Sequence, residues 1–335
     1  MRIALDSLGT DYAPTSEIAG ALEAIHDRTG DLTVVLVGDA EAIGAELGGI
    51  DPSLRDRVEI VHAPERILPG EPPAQAVRRK RDSSIVRGVR LQREGAVDAF
   101  VSGGSTGAIM AASLIHLRAL PGVDRPAICT LLPTSRRPTL LLDAGANVDC
   151  KPQHLLQFAR LGAVYARDLM DVPEARIGLL NIGEEPEKGD ELAIGAHRLL
   201  RASGLRFVGN VEGREIIRGA CDVLVCDGFV GNVLLKFYES VAEFTIGLLT
   251  RELAKVGRTM DLEEVFRVLD YAEYGGAPLL GVNGVTIVCH GQSTPKAIRN
   301  AIGLAGQAVR SGVVNHIANE LSVGIDGLEP GRGVT

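Results

Sequence analysis

The sequence predicts an α/β fold in which helices cover both faces of a mostly parallel sheet. Three observations carry this. Short β-branched or Leu-rich runs alternate with longer helical stretches along nearly all 335 residues, polar residues end the apolar runs, and no internal repeat or low-complexity tract interrupts the alternation. With 45% hydrophobic residues the chain can bury a large core, so one catalytic domain over 1–322 and a loose Gly-rich tail over 323–335 are expected.

The expected strands are Arg2–Leu5, Thr33–Val37, Val58–His62, Ala99–Ser102, Ala127–Leu132, Thr139–Leu142, Ile177–Leu180, Phe207–Val211, Val223–Cys226 and Thr286–Cys289. Tyr274 to Gln292 is long enough to cross a membrane and lacks Asp, Glu, Lys and Arg, but Pro278 and five glycines mark it as a buried loop and strand. Leu234, Phe237, Val241, Phe244 and Leu248 recur every three or four residues. Leu262, Val265, Phe266 and Leu269 continue an apolar face beyond Gly257, which predicts a protruding helical hairpin over about 233–271. Its expected role is to build a dimer, with any bilayer contact weak and peripheral.

Composition excludes several classes. A formal charge of −8 argues against non-specific nucleic-acid binding. The five cysteines are odd in number, lack CxxC spacing and sit mostly in apolar runs, the pattern of reduced cytoplasmic core thiols. The start of the chain meets Asp6 too soon for a signal peptide. No GxGxxG, GxxxxGK[ST] or HExxH occurs, which disfavours a nicotinamide cofactor, a Walker-type site and a metal.

In an open α/β sheet, ligands gather at the carboxyl ends of strands. Six apolar runs here end in related polar segments: at Asp6, at Ser102-Gly103-Gly104-Ser105-Thr106-Gly107, at Asp143 to Asn147, at Asn181 to Glu185, at Asp227 to Asn232 and at His290 to Ser293. Glycines let amides approach an anion, and Ser, Thr and Asn add neutral donors, so one shared phosphate or oxyanion cleft is expected. Gly103 to Gly107 also satisfies GxSxG, with Asp227 and His290 following in the chain order of a hydrolase triad. Serine nucleophile and phosphate cradle stay open as readings of Ser105.

Leu141 to Pro152, Gly209 to Arg214, Cys226-Asp227-Gly228-Phe229-Val230-Gly231-Asn232 and Tyr274 to Gly281 together resemble the PlsX phosphate acyltransferase family. Leu180 to Glu185 and Lys80-Arg81-Asp82-Ser83-Ser84 fit the same pattern. The resemblance implies a three-layer α/β/α fold similar to isopropylmalate dehydrogenases and phosphotransacetylases, a homodimer and no cofactor. It implies transfer of a fatty acyl group from acyl carrier protein to inorganic phosphate, giving acyl phosphate for phospholipid synthesis. Two positions depart from the pattern: Thr10, where the family usually has glycine, and Gln292, where it usually has serine.

On this basis Ser105, Thr106, Gly104 and Gly107 are expected to cradle phosphate, with Lys188 or Lys296 offsetting its charge. Asn181, Asn232 or His290 would donate to the thioester oxygen or protonate the leaving thiolate. Asp6, Asp143, Asn147, Asp227 and Lys80 complete the expected cleft. Arg87, Arg90 and Arg93, at three-residue helical spacing, are the candidate docking patch for the acidic carrier protein. A GxSxG thioesterase and a non-catalytic acyl-carrier scaffold remain the alternatives.

Overall fold

The computed structural model describes residues 1–27, 32–255 and 275–323. The first half builds β1 (Arg2–Asp6), α1 (Thr15–His26), β2 (Thr33–Gly38), α2 (Ala40–Glu46), α3 (Pro52–Arg55), β3 (Val58–His62), α4 (Pro73–Arg79), α5 (Ser84–Arg93), β4 (Ala99–Ser102), α6 (Thr106–His116), β5 (Ala127–Leu132) and β6 (Thr139–Leu142). The second half builds α7 (Pro152–Leu169), β7 (Ile177–Leu180), α8 (Glu191–Arg201), β8 (Phe207–Val211), α9 (Gly213–Ile216), β9 (Val223–Val225), α10 (Gly228–Lys255), β10 (Ala277–Leu280), β11 (Val285–Val288), α11 (Pro295–Ser311) and α12 (Val313–Val323).

The strands among the described residues join one 11-stranded sheet in the order β3-β2-β1-β4-β11-β10-β5-β6-β9-β7-β8. Side-chain alternation divides the core into two layers. Ile3, Leu5, Val34, Leu36, Leu140 and Leu142 pack on one face beneath α1, α7 and α11, whereas Ala4, Val35, Val37, Phe100 and Leu141 pack on the other beneath α4, α5 and α6. The three-layer α/β/α expectation is met.

The strands are parallel within each flank and antiparallel at β11-β10, β10-β5 and β5-β6. Consequently β6, β9, β7 and β8 run opposite to β1, β2, β3, β4 and β11. The sequence reading missed β10, because four residues beginning Ala277-Pro278 among glycines carry little strand propensity, yet the segment pairs on both edges. Strand β9 ends at Val225 rather than Cys226, and β11 spans Val285–Val288 rather than Thr286–Cys289.

Helix α10 is a single 28-residue helix. Val233, Phe237, Val241 and Phe244 are exposed along one side of it. The remainder of the expected hairpin, 256–271, and the tail beyond Val323 lie outside the described residues. Among the described residues no helix is long and apolar enough to cross a membrane. The five cysteines are free, and four of them are buried. Burial pushes the Cys289 thiol up to about 12 and the Cys150 thiol to about 11, the behaviour of inert packing groups.

Candidate active site

A cavity of about 580 Å³ opens where the carboxyl ends of β1, β4 and β11 meet the length of β5. Gly9, Asp11, Gly103, Gly104, Ser105, Thr106, His290 and Gly291 form one end. Ile128, Thr130, Leu131 and Leu132 of β5 run along it, and Ala144 and Gly145 close the other end. Because β6 is antiparallel to β5, its carboxyl end lies beside Ile128, where the Ala144 amide donates to the Ile128 carbonyl at 2.8 Å. The cavity is therefore a trough joining carboxyl ends from both strand directions.

The polar end is tightly built. Asp6 accepts the Ser102 hydroxyl at 2.6 Å and the Leu8 amide at 3.0 Å, and Ser102 Oγ in turn accepts the Gly104 amide at 3.0 Å. Burial raises the Asp6 carboxyl above its ordinary value, against the opposing hydrogen bonds from Ser102, Ser84 and Leu8 and the charge of Arg66. A Cβ on Gly9 would meet the Gly103 nitrogen at 2.8 Å and the Gly104 nitrogen at 2.9 Å, so only glycine lets the two loops touch. The Gly104 amide is thus already engaged. The donors left for an anion come from the first turn of α6, whose amides precede the first helical bond, from Ile109 to the Ser105 carbonyl. Ser105 is the N-cap of that helix, its hydroxyl accepting the Ala108 amide at 3.4 Å.

Two cations line the cavity that sequence reasoning did not single out. Arg66, in the loop after β3, donates from Nη2 to the Gly9 and Thr10 carbonyls at 3.3 and 3.1 Å. Lys236, on α10, pairs with Glu239 at 2.7 Å and stands 3.5 Å from His290 Nε2. Asn232, Lys236 and Glu239 repeat at i, i+4 and i+7, a polar stripe that could have been found opposite the apolar one.

The other expected residues fall into three groups. Asn232 and His290 line the cavity with Ser105, Thr106 and Gly104. Asp143, Asn147, Asp227, Lys80 and Gly107 support its walls. Asp143 is fully buried and accepts amides from Ile128, Gly145, Ala146 and Asn147, so it shapes the loop that presents Ala144 and Gly145. Asn147 Nδ2 ties this loop to the Pro126 carbonyl at 2.8 Å. Asp227 accepts the Phe229 and Val230 amides at the start of α10. Lys80 donates to the Arg66 carbonyl at 2.8 Å and pairs with Glu71, holding the segment that carries Arg66. Gly107 gives α6 room against Pro73, which a Cβ would meet at 2.7 Å.

The third group corrects the expectation of six ends in one cleft. Asn181 and Lys188 do not line the cavity; they bind one another, Asn181 Nδ2 donating to the Lys188 carbonyl at 2.9 Å. Their strand, β7, belongs to the reversed flank and lies two strands further from β5 than β6. Lys296 sits exposed in the first turn of α11 and is not in the lining. Arg87, Arg90 and Arg93 do not ring the mouth. Helix α5 starts at the polar end and runs away from it, with Gln92 donating to the Val285 carbonyl at the amino end of β11. Arg87 pairs with Asp82, and Arg90 and Arg93 with Glu94.

The hydrolase reading requires His290 Nδ1 to donate to an acid. Here Nδ1 accepts the Gln292 amide at 3.2 Å, and Asp227 Oδ1 is occupied by helix amides. The site is a trough with a polar end and an apolar extension on an α/β/α scaffold, and the fold of that scaffold recurs in solved phosphotransacetylases. One from Streptococcus pyogenes matches with a TM-score of 0.62 at 17% identity over 92% of this chain and 94% of that one. The EutD phosphotransacetylase from Staphylococcus aureus matches with a TM-score of 0.60 at 14% identity over the same shares.

Relatives by sequence narrow the class. A family model described as "Fatty acid synthesis protein" matches residues 1–316. A phosphate acyltransferase of Desulfitobacterium hafniense is 50% identical over 96% of this chain and 98% of its own length. One from Pelotomaculum thermopropionicum is 49% identical over 98% and 96%. The chain belongs to this family, the PlsX phosphate acyltransferases, and is an acyltransferase.

Proposed function

We propose that the chain transfers a long-chain fatty acyl group from acyl carrier protein to inorganic phosphate, supplying acyl phosphate for phospholipid synthesis. The observation that carries this reading is the single trough in which an anion-suited end, with α6 amides and Arg66, continues into a wall of Ile128, Leu131, Leu132 and Leu235. The first part suits phosphate and the second an acyl chain.

Phosphate held between Arg66 and the α6 amides attacks the thioester carbonyl carbon, forming a C–O bond. The tetrahedral oxyanion collapses and the C–S bond breaks. Monohydrogen phosphate plus thioester then gives acyl phosphate dianion plus thiol, so the proton lost by phosphate ends on sulfur. In this reading His290 and Lys236, which line the cavity, stabilise the oxyanion and pass that proton, with Asn232 as a neutral donor. No base stronger than phosphate is required, and Ser105 acts as a cap and a phosphate ligand rather than a nucleophile.

The exposed apolar side of α10 fits a homodimer contact, with any bilayer association weak and peripheral. The reading is tested by incubating the purified chain with long-chain acyl carrier protein and measuring free carrier thiol. Release only with both enzyme and phosphate supports it. Release without phosphate would indicate a thioesterase, and no release a scaffold.

A further inference from the structure

Glu17, in the first turn of α1, is fully buried although it bears a carboxyl group. Its Oε1 accepts the Thr10 amide at 2.8 Å, and its Oε2 has no hydrogen-bond partner among the described residues. A buried, half-satisfied carboxyl group is costly, so its place here calls for a reason beyond packing.

Thr10 supplies the connection. The Thr10 amide is held by Glu17, and the Thr10 carbonyl is held by Arg66 Nη2 at 3.1 Å, so one residue links the buried acid to the cation at the phosphate end. The Thr10 methyl rests on Gly103, where an added Cβ would meet Thr10 Cγ2 at 2.7 Å. The next amide, from Asp11, donates to the Gly291 carbonyl at 2.7 Å. The loops after β1, β3, β4 and β11 therefore meet at Thr10 and Asp11.

We infer that Glu17 is a positioning residue for phosphate, fixing Thr10 so that Arg66 and the Gly103-Gly104 turn hold their places around the anion. The inference rests on the phosphate-transfer reading above. Glu17 touches no substrate; it acts through a backbone amide, and so an oxygen acceptor at this position is what matters.

Glu17→Met removes the acceptor at similar length, whereas Glu17→Gln keeps one. Steady-state kinetics should show the phosphate KM of Glu17→Met raised about tenfold, the KM for acyl carrier protein within about twofold, and Glu17→Gln close to the unmodified chain. A merely structural role would lower thermal stability without separating the two KM values. If Glu17→Met does not fold, Glu17→Asp, shorter by one methylene, carries the test and should shift the phosphate KM in the same direction. An unchanged phosphate KM, an equal rise for both substrates, or a Glu17→Gln variant as impaired as Glu17→Met overturns the inference alone. Thiol release by the unmodified chain that ignores phosphate would overturn the reaction reading and the inference together.

Discussion

Lys236 Nζ lies 3.5 Å from His290 Nε2, placing a cation of α10 beside the loop that ends β11. Glu239 holds that ammonium at 2.7 Å, and all three side chains line the same trough. Charge arranged before substrate arrives is the form of stabilisation a developing oxyanion uses best. Lys236→Met should therefore lower kcat/KM about 100-fold. Lys236 is half exposed, so its unfolding midpoint should hardly move. Equal kinetics for the two proteins would remove Lys236 from the chemistry.

Ser105 caps α6 and no acyl-enzyme is expected on it. Intact mass after incubation with acyl carrier protein, with phosphate omitted, should show the unmodified mass. Ser105→Ala should cost about 1 kcal/mol of stability through the lost cap, while leaving substantial phosphate-dependent turnover. A stoichiometric adduct at Ser105 would sink direct attack.

Asp222 provides a stability prediction with a defined pH sign. Burial alone would raise its carboxyl, but hydrogen bonds from the Arg176 side chain and backbone, at 2.9 to 3.1 Å, and the Arg176 charge hold it below the ordinary aspartate value. The folded form thus binds that proton less readily than the unfolded chain. Its stabilisation is complete above the unfolded pKa and is lost as pH falls through the folded one. Because Arg176 keeps a quarter of its side chain in solvent, Asp222→Asn should cost about 1–2 kcal/mol near neutrality and less in acid. Denaturant titrations at several pH values check this; a pH-independent loss would contradict it.

If the carrier protein proposed above docks on α5 at Arg87, Arg90 and Arg93, away from the mouth, the effect of removing their charge is selective. Changing all three to glutamate should raise the KM for acyl carrier protein at low salt and leave that for phosphate nearly unchanged. Because Asp82 and Glu94 already partner these arginines, the rise should be about three- to tenfold. No change at low salt would place docking elsewhere.

Much of this architecture was legible in the sequence, for identifiable reasons. Runs such as Ile3-Ala4-Leu5 and Leu140-Leu141-Leu142 are buried on both faces, so their apolar character marks them without ambiguity. Strand direction was not legible, because it depends on pairings such as Cys129 with Leu142 and Ala127 with Leu280 that no local pattern encodes. Distance across the sheet explains why Asn181 and Lys188, written in the same style as the Ser102 to Gly107 segment, stay out of the trough: β7 lies two strands beyond β6, the reversed strand whose carboxyl end does reach it. Arg66 was hidden for a related reason: its partners Gly9 and Thr10 are 57 and 56 residues away. Thr10 was visible as a departure from the family pattern, but its link to Glu17 emerged only when α1 folded back over the loop.

The most direct measurement is the stoichiometry of the products. With long-chain acyl carrier protein and phosphate, the acyl group trapped by hydroxylamine from acyl phosphate should equal the carrier thiol released, one to one, from the first turnover. Thiol released in excess, with free fatty acid making up the difference before any acyl phosphate accumulates, would show that water rather than phosphate is the acceptor this trough serves.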